Sequence, residues 1–204
     1  MPIAGWSVAT WSPLILFAVI ATLTPGAATM IATASGAQFG FRRSLPVMLG
    51  SACALASLGV AAGAGLAGLL LAAPSLQLAM KLVGSAYLVW LAWKVSRSGP
   101  PKPLSELARP TPFIGGASLL WLNPKGWAMT LSAAASFAAL ASGPGQLALL
   151  LGATFGLAAT ASLFLWCLAG LVLRRLLRAN WQWHLLNALL GLLLAASIIP
   201  MWLE

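Results

Sequence analysis

Residues 14–36 read LILFAVIATLTPGAATMIATASG, a run without a single charged side chain. About 20 apolar residues are enough for an α-helix to cross the hydrocarbon core of a bilayer. Thr24-Pro25-Gly26 interrupts this run. Proline removes a helical N–H group and clashes with the preceding turn, and glycine admits unusual backbone angles. The sequence therefore predicts a membrane-spanning helix that is broken near its middle.

The rest of the chain has the same apolar character. Of the 204 residues, 61% are hydrophobic and 6% are charged, and the mean hydropathy is +0.96. A soluble domain has about 25% charged residues. Five further apolar runs predict five more helices, near 45–72, 76–95, 113–141, 146–172 and 183–203. We therefore expect an all-α integral membrane protein with six transmembrane helices in a single transmembrane domain, residues 1–204.

The basic residues alternate between connections. The chain has 11 Lys and Arg, 2 acidic residues and a net charge of +9. The connections 37–44, 96–112 and 173–182 are basic, whereas 73–75 and 142–145 are uncharged. Because cytoplasmic loops are enriched in Lys and Arg, we expect a bacterial inner-membrane protein with both termini outside. The same distribution argues against nucleic-acid binding, which uses a basic stripe on a polar domain.

The N-terminus carries no Lys or Arg before the first apolar run. A secretory signal peptide begins with a positively charged region. We therefore expect the first helix to be retained.

The two halves of the chain resemble each other weakly. Three matches occur at offsets of 99, 102 and 103 residues: Pro25 with Pro124, 49–52 with 151–154, and 80–84 with 183–187. Because each half would contain three helices, the halves would be inverted relative to each other across the membrane. The nearly constant offset predicts a 3+3 inverted-topology repeat, with half-repeats at about 1–100 and 101–204 and with broken helices 1 and 4.

The second break carries a charge. Asn123-Pro124-Lys125 lies inside the fourth apolar run. A lysine at such a depth costs about 2.5–3.5 kcal/mol on insertion scales and needs a partner or a wet cavity. The two acidic residues, Glu106 and Glu204, lie outside the apolar runs. We expect Lys125 to pair with carbonyl groups opened by Pro124, or with the anionic group of a substrate.

Paired broken helices indicate a substrate site, because backbone groups freed at membrane depth must face protein or water. A half-helix that begins after Gly26 would aim its N–H groups at an anion. The alternative is that both motifs are ordinary proline kinks. The candidate substrate-binding residues are those of the two breaks and two polar residues of the third helix: Thr24, Pro25, Gly26, Asn123, Pro124, Lys125, Lys81 and Tyr87. For Lys81, snorkelling to the outer interface is the alternative.

No other chemistry is predicted. The chain has no HExxH sequence, no Walker motif and no pair of carboxylates in its apolar runs, so we expect no enzyme activity. Cys53 and Cys167 lie in apolar runs without metal-ligand spacing, and we expect both to be buried thiols. We therefore predict no metal site and no cofactor.

Two GxxxG segments lie at 59–63 and 152–156. Because glycine has no side chain, helices that carry such segments approach each other closely in a membrane. We expect the segments to pack helices within the bundle. A homodimer seam is the alternative.

At the residues of the two breaks, the chain resembles the LysE/RhtB family of amino-acid exporters. The parallels are 24–26, 40–43, 49–50, 81–91, 93–94, Phe113, Gly115 and 122–125. They cover residues 14–140, and the last third matches in hydropathy alone. The resemblance implies efflux of amino acids or small relatives, driven by the proton gradient. The family pattern continues Pro-Gly-Pro-Asn, whereas Ala27 and Ala28 follow Gly26 here, which removes a polar side chain from the expected pathway.

We therefore predict a secondary transporter that works in the lipid bilayer by alternating access on a small-molecule substrate. One alternative is efflux of another small solute. A second alternative is a non-transporting membrane scaffold or assembly protein, in which the broken helices would be simple kinks. A polar cavity that reaches Lys125 would favour transport, and a dry bundle around Lys125 would favour the scaffold.

Overall fold

The computed structural model describes residues 8–66, 74–97, 99–100, 110–177, 179–196, 198–199 and 202. Within these residues every regular element is a helix. The α-helices, numbered in chain order, are α1 (Val8–Leu23), α2 (Ala27–Phe39), α3 (Phe41–Ala61), α4 (Pro74–Ser96), α5 (Phe113–Trp121), α6 (Pro124–Ser136), α7 (Pro144–Leu176) and α8 (Asn180–Ala196). A π-helical turn, Ala62–Leu66, continues α3, and a 3-10 turn, Ala138–Leu140, follows α6.

Both predicted helix breaks are confirmed. The segment Trp11–Leu23 of α1 and helix α2 are bent by 57° at the break that contains Pro25. Helix α5 ends at Trp121, and α6 begins at Pro124. Proline suits the first position of a helix, because its missing N–H group would have no helical partner there.

Several helices are suited to a bilayer. By length and composition, Phe41–Gly65 and Pro144–Leu176 could each cross a membrane, and the bent pair of α1 and α2 is a third candidate among the described residues. Large apolar side chains face outward, among them Ile114, Leu149 and Leu157, each more than 70% exposed. Such a surface suits hydrocarbon better than water. The count of six crossings stays a prediction.

Helices α3 and α7 form the centre of the bundle, and their glycines pack them together. A Cβ atom on Gly63 would lie 2.6 Å from the Cα atom of Ala148, and one on Gly59 would lie 2.9 Å from the carbonyl carbon of Leu151. The two backbones are therefore in direct contact. The expectation that the GxxxG segments pack helices within the bundle is confirmed, and a homodimer stays a prediction.

The remaining helices surround this central pair. Helices α1 and α2 pack on α7, α5 packs on α3, and α4 packs on α8. Gly36 of α2 lies against the backbone of Cys167 in α7. Cys167 is buried as predicted, but Cys53 is exposed. The prediction for Cys53 is wrong because an apolar run in a membrane helix also supplies the outward face of the bundle, where Cys53 lies.

Candidate functional site

The break after α1 leaves carbonyl groups without helical partners, because each helical carbonyl accepts from the N–H group four residues later. Two of these carbonyls are bonded by side chains of α7. The Ser162 hydroxyl donates to the Thr22 carbonyl at 2.7 Å, and the Trp166 indole Nε1 donates to the Leu23 carbonyl at 3.2 Å. Helix α7 thus stabilises the end of α1.

The next two carbonyls are bonded by the cation of the other break. Lys125 Nζ lies 3.3 Å from the Thr24 carbonyl oxygen and 3.4 Å from the Pro25 carbonyl oxygen. Lys125 therefore connects α6 to the end of α1. This corrects the expectation that Lys125 pairs with carbonyls opened by Pro124, because the carbonyls that it contacts belong to the first break.

Helix α2 begins beside this ammonium group. The Gly26 N–H group donates to Thr29 Oγ1 at 2.8 Å, and the same hydroxyl donates to the Gly26 carbonyl at 2.9 Å. Gly26 has φ −171°, an extended conformation that any residue adopts. A Cβ atom at Gly26 would lie 3.3 Å from Lys125 Nζ. Gly26 therefore makes space for the ammonium group, and the unusual backbone angles expected from its sequence are not what the site uses.

The second break is stabilised locally. Asn123 is buried and caps α6: its Oδ1 accepts from the Lys125 N–H group at 3.0 Å, and its carbonyl accepts from the Gly126 N–H group at 2.9 Å. The Trp127 indole donates to the Trp121 carbonyl at 3.0 Å. The backbone around Pro124 is thus bonded by neighbouring residues of the same break, while the side chain of Lys125 extends to the first break.

The two breaks line one cavity. Four of the predicted residues lie in its wall, namely Thr24, Gly26, Asn123 and Lys125, and Ala27 and Ala28 contribute the first turn of α2. Among the described residues of this wall, Lys125 alone carries a charge. The cavity offers about 50 Å³ to water-sized molecules. Because each water needs about 10–15 Å³ of such space, the cavity has room for about three to five waters.

The cavity lies near the middle of the long helices. Its wall includes Ser51 of α3 and Ser162 of α7. Ser51 is roughly 15 Å along α3 from its first residue, and Ser162 is roughly 27 Å along α7 from its first residue, at 1.5 Å per residue. The site therefore lies about midway along both long helices.

The other predicted residues have different positions. Pro25 contributes its carbonyl group, and Pro124 begins α6. Lys81 and Tyr87 belong to α4, but their side chains lie outside the described part of the chain, so their predicted roles are untested. Among the described residues no group of three or more His, Cys, Asp or Glu side chains could hold a metal ion.

Sequence reasoning missed the residues that support the first break, namely Thr22, Thr29, Ser162 and Trp166. Thr29 could have been found, because it stands three residues after Gly26, where a hydroxyl reaches the start of a helix. Ser162 and Trp166 could not have been found from the break itself, because they lie more than 130 residues away in the sequence.

The fold and the cavity define an all-α membrane protein with a charged site between two broken helices. Comparison with known proteins gives the family. The model of the LysE type translocator family matches residues 19–197, and the chain belongs to this family. The family is one of translocators, which places the chain with transporters rather than enzymes.

Curated relatives agree with this family. The chain is 32% identical over 110 residues to the cysteine/O-acetylserine efflux proteins of Escherichia coli K12 and Shigella sonnei Ss046, and 31% identical to that of Escherichia coli O1:K1. The matched part is 53% of this chain, and the chain spans about 55% of the length of these relatives. No solved structure matches the chain.

Proposed function

We propose that this protein exports amino acids or related small metabolites from the cytoplasm by alternating access, driven by the proton gradient. The observation that carries the proposal is the position of Lys125, a cation from one broken helix that lies against the other broken helix in a shared cavity. An intramembrane cation marks a substrate or ion pathway. A carboxylate is the solute group that matches it.

The start of α2 supports a carboxylate site. The first N–H groups of an α-helix have no helical acceptor and lie at the positive end of the helix dipole. Ala27 and Ala28 carry such groups and line the cavity beside Lys125. Their side chains are methyl groups, so nothing longer stands between the cavity and the backbone. A substrate carboxylate would meet the ammonium group and the helix start together.

The packing of the helices supports the inverted repeat. A two-fold relation would exchange the first broken pair (α1 and α2) with the second (α5 and α6), α3 with α7, and α4 with α8. It would therefore turn the contact of the first pair with α7 into a contact of the second pair with α3, and both contacts exist. The contacts of α3 with α7 and of α4 with α8 would map onto themselves, and both also exist. We propose six crossings on this basis, in a single transmembrane domain with half-repeats at about 1–100 and 101–204.

The charge distribution supports the proposed orientation. Gly170 near the end of α7 contacts Ala37 near the end of α2, and Gly99 after α4 shares a small pocket with Gln38. The basic residues next to these contacts therefore lie at the same end of the bundle: Arg42, Arg43, Arg97, Arg174 and Arg175. We propose that this end faces the cytoplasm of a bacterial inner membrane, with both termini outside.

The size of the cavity supports alternating access. The space that water-sized molecules can enter is about 50 Å³, and movement of the surrounding helices would enlarge it for a substrate. Helix breaks at the site allow the half-helices to move separately. We also propose that Lys81 and Tyr87 of α4 lie on the substrate pathway. A homodimer is a further proposal.

Transport should be measured with purified protein in liposomes, with a panel of labelled amino acids that includes cysteine and O-acetyl-L-serine. We expect at least one amino acid to exchange and an imposed proton gradient to drive its accumulation. Lys125→Gln should lower the exchange at least tenfold, because the charge that faces the carboxylate is lost. Lys94→Gln makes the same chemical change on an exposed lysine outside the cavity and should leave the exchange unchanged.

Two outcomes would contradict the proposal. If no amino acid of the panel moves, the protein exports another solute or acts as a scaffold. If Lys125→Gln and Lys94→Gln transport equally well, the cavity at Lys125 is not the substrate site.

A further inference from the structure

The end of α1 already holds an ammonium group. The Thr24 and Pro25 carbonyls lie in the break just after the last residue of α1, near the negative end of its dipole, and Lys125 Nζ contacts both. The distances of 3.3 and 3.4 Å exceed the usual 2.7–3.2 Å for N–H···O hydrogen bonds. Because Lys125 reaches these carbonyls through a long and flexible side chain, another ammonium group can replace it.

We propose, on the basis of the transport function above, that these two carbonyls are the subsite for the ammonium group of the substrate. Lys125 occupies this subsite while the site is empty. When an amino acid binds, its ammonium group takes the Thr24 and Pro25 carbonyls. The Lys125 ammonium group then turns to the carboxylate of the substrate, next to the first turn of α2.

The choice of these carbonyls follows from their partners. The Thr22 and Leu23 carbonyls are held by Ser162 and Trp166 at 2.7 and 3.2 Å, through short or rigid side chains of α7. The next two carbonyls are held by one long and flexible side chain, which can leave. The chain's two acidic residues lie outside its apolar runs, so these carbonyls, rather than a carboxylate, would bind an ammonium group in the cavity.

The break brings both recognition elements close together. The negative end of α1 and the positive end of α2 are separated only by residues 24–26, and both face the cavity. An α-amino acid carries an ammonium group and a carboxylate on adjacent atoms of one carbon centre. Gly26 adds no side chain between them, and its missing Cβ is what lets the lysine ammonium group approach.

The subsite has a mechanistic consequence. The contact of Lys125 with the end of α1 connects the two broken helices in the empty protein. When the substrate replaces this contact, the connection between α6 and α1 is released and the two half-repeats separate. A ligand with only one of the two charged groups cannot complete the exchange.

The test uses isomers in the intact protein. O-acetyl-L-serine and N-acetyl-L-serine have the same atoms, but only the first has an ammonium group. Both are offered as unlabelled competitors of the amino acid that the transport panel identifies, at mildly acidic pH, together with that amino acid and its own N-acetyl derivative. We expect each N-acetyl compound to compete at least tenfold less well than its free counterpart, because it lacks hydrogen bonds from a charged donor. Equal competition within each pair would overturn the subsite while leaving the transport function standing.

In a second measurement, removal of Lys125 should strengthen binding of a ligand instead of weakening it. The methyl ester of the transported amino acid has the ammonium group but no carboxylate. In the wild type the ester must displace Lys125 from the two carbonyls, and it offers the displaced lysine no carboxylate in return. In Lys125→Ala the subsite is vacant, and the ester should bind about tenfold more tightly than it binds the wild type. Unchanged or weaker binding to folded Lys125→Ala would contradict the proposal. If the variant does not fold, the comparison of isomers on the wild-type protein decides.

Discussion

The hydroxyl of Ser162 donates a 2.7 Å hydrogen bond to the carbonyl of Thr22, 140 residues earlier in the chain. Ser162 lies on the central helix α7, and Thr22 lies in the last turn of α1. Both side chains are buried. The bond therefore holds the end of a broken helix against the centre of the bundle, next to the cavity that contains Lys125.

Ser162→Ala should lower the free energy of unfolding by about 1 kcal/mol, because the Thr22 carbonyl would lose its buried partner. Unfolding of the purified protein in detergent, by heat or denaturant, measures this change. Thr160→Val is the matched control on the same helix, since among the described residues the Thr160 hydroxyl bonds the Gly156 carbonyl within α7. Equal losses in the two variants would show that the bond to α1 does not stabilise the fold.

Gly59→Ala should destabilise the bundle by about 1–3 kcal/mol, because the new methyl group would meet the Leu151 backbone at 2.9 Å. Backbone atoms cannot move aside as a flexible side chain does. Gly145→Ala is the control: this glycine lies in the first turn of α7 and has open space around it. The control should be neutral or should stabilise the protein by up to about 1 kcal/mol. The same unfolding measurement compares the two.

Gly26→Ala should lower transport severalfold without lowering the unfolding temperature. The backbone of Gly26 is extended, so alanine fits its angles, but the methyl group would stand 3.3 Å from Lys125 Nζ and displace the ammonium group. Gly143→Ala is closely matched, because Gly143 also precedes a helix in an extended conformation (φ 176°), but a Cβ atom there would meet nothing within 4 Å. We expect this control to transport normally. A parallel loss in both variants would point to a general effect of helix starts.

Asn123→Ala should destabilise the protein by about 1 kcal/mol, because the Lys125 N–H group loses the Asn123 Oδ1 cap. Asn123→Ser should restore most of this stability, since serine is an equally good cap. Unfolding measurements on the three proteins give the comparison, and equal stability of the serine and alanine variants would rule out a capping role. Transport by the alanine variant would also fall, because the cap orients the residue that carries the ammonium group.

The sequence predicted the two helix breaks and the charged residue beside the second one, because proline and an intramembrane charge act locally. Pro25 and Pro124 each lack an N–H group, which favours a helix break at both positions. Lys125 is the one basic residue of the fourth apolar run, and a charge at that depth needs a partner. That partner is the Thr24 carbonyl, 101 residues earlier, and the sequence around Lys125 does not predict a contact between residues so far apart in the chain.

The glycines illustrate the same division. The GxxxG segments at 59–63 and 152–156 indicated close packing, since a missing side chain exposes the backbone in any context. Their pairing across α3 and α7 depended on the arrangement of the whole bundle. Cys53 and Cys167 have similar apolar neighbours in sequence, but only Cys167 is buried, because a membrane helix is apolar on its outward face as well.

The sequence by itself determined the class of protein, the two breaks and the residue that carries the charge, because hydropathy, proline geometry and the cost of a buried ion depend on each segment alone. Tertiary structure decided which carbonyls Lys125 contacts, and that Ser162 and Trp166 stabilise the end of α1. It also decided that Gly26 serves to make space. Each of these features joins helices that are distant in sequence, and only the packing of the bundle brings them within hydrogen-bonding distance.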